Sequence, residues 1–218
     1  MKKTQILFLL GALLFSSLNL VQAQKKIQPE EIHLNKLTLE KKKKHSFQSK
    51  DSTLTVYIDT LIMKDKSTLQ FFNKKDVNLV VKHAFIHKDA AIYGQGMKNN
   101  GTNFNIDIDF NELGSLYILA QGQDANNGSK TFPNGDGGNV TLTYSNSGIT
   151  PQTTNKKEKH YLQINNTEGG LHVTPTSEIR NIYSRIALSA PGLRGLPQGQ
   201  IYSGSPGKKG ETVIKTKE

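Results

Sequence analysis

Residues 54–75 read LTVYIDTLIMKDKSTLQFFNKK, residues 76–103 read DVNLVVKHAFIHKDAAIYGQGMKNNGTN, and residues 104–122 read FNIDIDFNELGSLYILAQG. The three rows share one design. Leu54, Val56 and Ile58 alternate with Thr55, Tyr57 and Asp59, which is the pattern of a strand with one buried face. Leu61 to Met63 follow, then a polar KDKS turn, then Leu69 to Phe72. In the second row Val77, Leu79 and Val81 alternate, Ala84 to Ile86 follow, HKDA turns, and Ala91 to Tyr93 close before Gly94. In the third, Phe104, Ile106, Ile108 and Phe110 alternate, NELGS turns, and Leu116 to Leu119 end before Gly122.

The alternating segments begin at Leu54, Val77 and Phe104, and the short third strands near Leu69, Ala91 and Leu116. A repeat in the twenties, carried by strand triplets and polar corners, matches one coil of a parallel β-solenoid. One coil cannot bury its own inner face, and about three are needed. The expected fold is all-β, a short β-helix-like solenoid with Gly/Asn-rich loops. An antiparallel β-sandwich is the alternative. Corners such as Gly101-Thr102 and Gly114-Ser115 favour the coil, because they are not two-residue hairpin turns.

Outward from this body, residues 51–150, the chain divides by composition. Residues 1–23 have the layout of a secretory signal: Lys2 and Lys3, an apolar run from Ile6 to Phe15, and small-residue spacing at Val21-Gln22-Ala23. Cleavage is expected between Ala23 and Gln24. The apolar run is too short for a transmembrane anchor, and no comparable stretch follows it. Residues 24–50 are expected to form a basic N-terminal arm or linker. A weak amphipathic stretch at Ile27, Ile32, Leu34, Leu37 and Leu39 would cover the first coil, and Lys41 to Lys44 would be solvated. Residues 151–204 read as a β-rich extension, with strands at His160–Ile164 and Leu171–Val173 and a short helix over Ser177–Ser189. Residues 205–218 read as a basic tail.

The formal net charge is +10, without Cys or Trp. Disulfides and a lipoprotein anchor are therefore excluded. Residues 24–50 hold eight Lys against three Glu, and residues 205–218 four Lys against two Glu. Residues 51–204 are close to neutral. A nucleic-acid fold would carry its charge on a folded face with stacking aromatics, so that class is set aside.

The signal ending Ala23-Gln24-Lys25-Lys26, the row LYILAQGQDA at 116–125 and the unit NGDGGNVTLTYSNSGI at 134–149 resemble exported β-rich repeat proteins of Bacteroidetes-type Gram-negative bacteria. The resemblance implies an envelope or surface location and carries over no catalytic residue.

Three groups carry candidate chemistry. Asp107 and Asp109 lie two apart on one outward face, with Glu112 just beyond, and paired carboxylates are what an acid–base pair acting on a sugar requires. No cation is expected in their row. Asp124, Asn126 and Asp136 place oxygen ligands at spacings that Ca²⁺ loops use, although the terminal bidentate Glu of an EF-hand is missing. Lys41, Lys42, Lys43 and Lys44 offer a grip on an anionic polymer. His83 and His87, four apart in a strand-like row, have no nearby acidic third ligand for a metal and read as surface residues. No G-x-S-x-G elbow or phosphate loop occurs.

The expected function is a non-enzymatic structural, adhesive or accessory component of the cell envelope, exported to the periplasm, the outer membrane or the cell surface. It would bind an envelope or outer-membrane protein, or an anionic polysaccharide, through its β faces and Gly-rich loops, without a cofactor. The alternatives are a carbohydrate-active β-helix enzyme and a Ca²⁺- or polysaccharide-binding module.

Overall fold

A computed structural model of the chain describes residues 30–47, 51–127, 131–145, 148–170 and 206–217. The expected signal at 1–23 with its Ala23/Gln24 cleavage point, the strand at 171–173 and the helix at 177–189 lie outside these residues. The described part is all-β.

The strands in chain order are β1 (Glu30–Leu39), β2 (Lys44–Phe47), β3 (Thr53–Met63), β4 (Thr68–Phe72), β5 (Asp76–Ile86), β6 (Ala90–Gln95), β7 (Asn103–Leu113), β8 (Ser115–Leu119), β9 (Asn126–Asn127), β10 (Thr131–Phe132), β11 (Val140–Ser145), β12 (Tyr161–Asn165) and β13 (Thr212–Lys217). Two parallel sheets stack the rungs. The long sheet runs β1-β3-β5-β7-β11-β13 and the short sheet β12-β8-β6-β4-β2. Consecutive strands alternate between sheets, so the chain coils as a β-solenoid and the sandwich is excluded. Among the described residues, antiparallel pairing is confined to β9 with β10 and to the bridge between Gln95 and Gly101.

Register places like on like. Leu54 pairs with Val77, Val77 with Phe104, and Phe104 with Val140; Val56, Leu79, Ile106 and Leu142 form the next column. All eight are buried. Each such side chain gains about 1.5–3 kcal/mol on leaving water. In the short sheet the equivalents of Leu69 are Ile92 and Ile118, not Ala91 and Leu116 as the sequence spacing implied.

The first two expected strands of each row are one bent strand. In β3, Ile58 and Leu61 are both buried while Asp59 and Thr60 between them are not, so the inward side changes parity at a bend. β1 and β5 bend likewise at Asn35-Lys36 and Lys82-His83, and β7 departs by a bulge near Phe110.

Two expectations about the ends are corrected. Residues 30–47 are the first rung rather than an arm: β1 pairs with β3 from Glu30 to Leu39, and β2 pairs with β4. The basic tail contains β13, which pairs with β11 from Thr212 to Lys217.

One corner is built almost without side chains. The segment at 135–138 donates from Gly135 N to Gln123 O (2.9 Å), from Gly137 N to Lys208 O (2.8 Å) and from Gly138 N to Ala120 O (2.8 Å). It accepts at Asp136 O from Gly101 N (2.8 Å) and at Gly135 O from Gly169 N (2.9 Å). Extended backbones therefore bond to neighbours on several sides. A Cβ on Gly135 would fall on the carbonyl of Asn99, and one on Gly138 on the carbonyl of Thr102. Only glycine fits, for the steric reason that places it on the axis of a collagen triple helix. Side-chain oxygens extend the ladder. Asn103 Oδ1 accepts from Asn139 N, and Asn139 Oδ1 from Glu211 N, both at 2.9 Å.

An aromatic column threads the interior. Phe47 stacks on Phe71 at 5.2 Å, and Phe71 meets Phe104 edge-on at 5.7 Å. Gly94, the register partner of Phe71, has no side chain because the Phe104 ring occupies that space.

Candidate functional site

The corner between the sheets collects most of the exposed charge. The turn after β1 contains Lys41 to Lys43, the turn after β3 Lys64 to Ser67, and the turn after β5 His87 to Asp89. The turns are one shape repeated. Lys42, Lys66 and Asp89 hold φ of 62°, 59° and 58°. Lys42 N donates to Asp65 O and Lys66 N to Lys88 O, each at 2.9 Å. The lysines expected to be solvated linker are thus fixed on the edge of a rung, with Lys44 opening β2. The left-handed conformation that non-glycine residues avoid is held at Lys42 and Lys66 by amide hydrogen bonds donated to carbonyls of the next rung.

The loop at 153–159 carries the charge onward. It returns against the β7–β8 corner through His160 N to Leu113 O (3.0 Å) and Tyr161 N to Gly114 O (3.2 Å). This brings Lys156, Lys157 and Lys159 beside Lys88. Two shallow grooves of about 310 Å³ each follow, sharing Asp65 and Lys88. The first is bordered by Lys41, Lys42 and Lys66, the second by the lysine loop, His87 and Glu112. Asp65, Asp89, Glu112 and Glu158 also line the grooves, and on the same edge Lys64 Nζ contacts both carboxylate oxygens of Glu40, at 3.0 and 2.8 Å.

His87 has two acidic neighbours. Its ring nitrogens lie 4.0 Å from Asp65 Oδ1 and 4.0 Å from Glu112 Oε2. No group of three or more His, Cys, Asp or Glu side chains among the described residues is placed to hold a metal. His83, in the bend of β5, is exposed.

Asp107 and Asp109 share the outward face of β7, as their spacing requires. Glu112 lies past the bulge on the charged corner and is not part of that pair. The expectation that their row lacks a cation fails. Lys217 of β13 contacts Asp107 and sits 2.8 Å from Asp109 Oδ1. Burial works to lower the Lys217 pKa, but the hydrogen bonds and charges of the two aspartates outweigh it and raise it. A pair of carboxylates bound to one ammonium is a structural clasp before it is an acid–base pair.

The oxygen-rich loops have internal employment as well. Asp124 Oδ1 accepts from Gly170 N at 2.6 Å, and Asp136 Oδ1 from Lys208 N at 2.7 Å. Asn126 lies in β9, and its side chain is outside what is described. These carboxylates cap backbone amides of the glycine corner.

Sequence reasoning missed the continuity of the edge. The lysine-bearing corners KKKK at 41–44, KDKS at 64–67 and HKDA at 87–90, and the KKEK run at 156–159, were the available signals. Compared with protein-family models, with curated proteins and with solved structures, the chain matches none.

Proposed function

We propose that this protein is an exported, non-catalytic binding component of a bacterial envelope that holds an anionic polymer, an acidic polysaccharide by chemistry, along its lysine-bearing edge. One observation carries the reading: Lys41 and Lys42, then Lys66, then Lys88, then the 156–159 loop succeed one another up one corner. Rungs are about 4.8 Å apart, so the edge presents a cation at nearly every step. Close, regular spacing suits a polymer with a charge on each unit better than it suits a small anion. The shallow grooves leave room for a chain that lies along the surface. Asp107 and Asp109 support the glycan-cleaving alternative less well, since Lys217 engages both.

The test is retention on immobilised polygalacturonate with a salt gradient. Lys42→Asn, Lys66→Asn and Lys88→Gln together remove three cations, and Asn tolerates the left-handed turn positions. The triple variant is expected to elute at clearly lower salt than the parent, with an unchanged circular dichroism spectrum. A parent that passes through unretained at 0.05 M salt, or a variant that elutes with the parent, overturns the reading.

A further inference from the structure

The outer face of the short sheet has a chemistry unlike the rest of the surface. Four of the sheet's five strands, TLQFF (β4), AAIYGQ (β6), SLYIL (β8) and YLQIN (β12), contain no charged residue and no histidine, and the fifth, β2, brings Lys44 and His45 at one edge. The long sheet and the corners carry nearly all the ionisable groups.

Register turns four separated aromatics into one row. Phe72 pairs with Gln95, two positions beyond Tyr93; Tyr93 pairs with Leu119, two beyond Tyr117; Tyr117 pairs with Gln163, two beyond Tyr161. Each step upward by one strand therefore moves back two residues, and the rings run obliquely across four adjacent strands. A step of one strand and two residues covers about 8 Å of backbone. The rings lean together along that line. Phe72 and Tyr93 are 5.8 Å apart edge to face, and Tyr117 and Tyr161 5.9 Å. Phe72 is exposed at 37%, Tyr93 is half-buried, Tyr117 is half-buried with the Lys156 ammonium 5.3 Å from its ring centroid, and Tyr161 is buried.

Glutamines flank the row in a fixed orientation. Tyr93 donates to Gln95 Oε1 at 3.1 Å, and Tyr161 to Gln163 Oε1 at 3.3 Å, so the same tyrosine-to-glutamine bond occurs twice with one residue between. Ser46 Oγ donates to Gln70 Oε1 at 3.0 Å. With each amide oxygen accepting a hydroxyl proton, the amide nitrogens of Gln70, Gln95 and Gln163 are the groups left to donate outward.

We infer that the open end of this face, away from the Lys156–Tyr117 contact, is a second binding surface, distinct from the lysine-edge grooves, for an uncharged polysaccharide laid across Phe72 and Tyr93. Aromatic rings accept the C–H face of a pyranose, and amide N–H groups donate to its hydroxyl oxygens. None of β4, β6, β8 and β12 contributes a cation to offset the desolvation of a polyanion, whether nucleic acid or uronate. The one ammonium seen over a ring of this face, that of Lys156, is engaged by Tyr117. A protein partner of ordinary affinity would find no Arg anchor here and only one strongly exposed ring.

The experiment is titration of the full chain with dextran, mannan, xylan and soluble β-glucan, followed by affinity electrophoresis and intrinsic tyrosine fluorescence, since the chain has no Trp. At least one neutral polymer is expected to retard the protein, with little change between 0.05 and 0.5 M salt. Phe72→Ala and Tyr93→Ala should each weaken that binding about tenfold, equivalent to about 1.4 kcal/mol. The triple-lysine variant should bind the neutral polymer as the parent does, which separates this surface from the edge. Phe72→Ala alters an exposed side chain and keeps the test valid if Tyr93→Ala unfolds. No retardation by any of the four polymers overturns the inference, as does binding that survives Phe72→Ala unchanged. Concentration-dependent self-association abolished by Phe72→Ala, without glycan binding, would assign the face to a second copy and also overturn it.

Discussion

Lys217 Nζ lies 2.8 Å from Asp109 Oδ1 and also contacts Asp107, so one ammonium on β13 spans the whole of β11 to reach β7. The chain positions involved are 108 apart. β13 has few buried side chains of its own, and Val213 and Ile214 are exposed at 47% and 41%. Its attachment rests on backbone pairing with β11 and on this clasp.

Removing the clasp should loosen β13 and little else. Lys217→Met is expected to speed amide exchange at residues 212–217 and to lower global stability by at most about 1 kcal/mol, the usual scale for a partly exposed ion pair. The pH dependence follows from the raised Lys217 pKa. A base whose folded pKa lies above its unfolded value contributes fully below the ordinary lysine value of 10.5. That contribution disappears as the pH rises through the folded value. Exchange in β13 that is insensitive to the substitution would contradict this account.

Lys74 should titrate in the opposite sense. Its side chain is fully buried, and Nζ donates to the Asp51 carbonyl at 2.5 Å. Burial lowers its pKa, against the raising effects of Glu30 and Asp51. The unfolded chain then binds the extra proton, so this group makes stability increase with pH between the lowered folded value and 10.5. Lys74→Ala removes stem and donor together and should cost about 2–4 kcal/mol. Lys74→Met keeps the stem and should recover at least half of that loss in urea denaturation, with the alkaline slope flattened.

The glycine corner predicts intolerance to a single methyl group. Gly138→Ala puts a Cβ on the Thr102 carbonyl, and neither backbone has room to yield. The expected cost is about 3 kcal/mol or more, read as a lowered Tm. An unchanged Tm would show that these backbones are not held at the spacing described.

The left-handed turn at Lys66, with φ of 59°, predicts a contrast between two substitutions. Lys66→Gly relieves the conformational cost of a side chain in that region and should be neutral or stabilising by up to about 1 kcal/mol. Lys66→Val, β-branched, should destabilise by more than that. Equal thermal stability of the two would rule out a left-handed turn there.

The coil itself was legible because its inner faces alternate over several rungs, and Leu54, Val77 and Phe104 do stack in register. The first rung was obscured by its own bend. Leu34, Leu37 and Leu39 are spaced three and two, which imitates a helix face, although the spacing comes from the parity change at Asn35-Lys36. Ile58, Leu61 and Met63, and then Val81, Ala84 and Ile86, show the same three-and-two spacing and would have identified β1 as a strand. The common face of Asp107 and Asp109 was readable from period two. Their partner Lys217 was not, because no local pattern links β7 to a strand reached only after two more rungs of chain. The aromatic diagonal was hidden for a related reason: its members line up only once register is known, since each rung shifts the position by two.

The glycine corner also joins segments that lie far apart in the chain. The stretches at 99–102, 120–123, 135–138, 166–169 and 207–210 meet there, although more than a hundred positions separate the outermost two. The lower coils close between neighbours in the chain, whereas this seam joins distant segments and so carries the larger loop-closure cost. A loss of the segment at 207–210 would therefore leave the Gly137 amide without its Lys208 carbonyl partner.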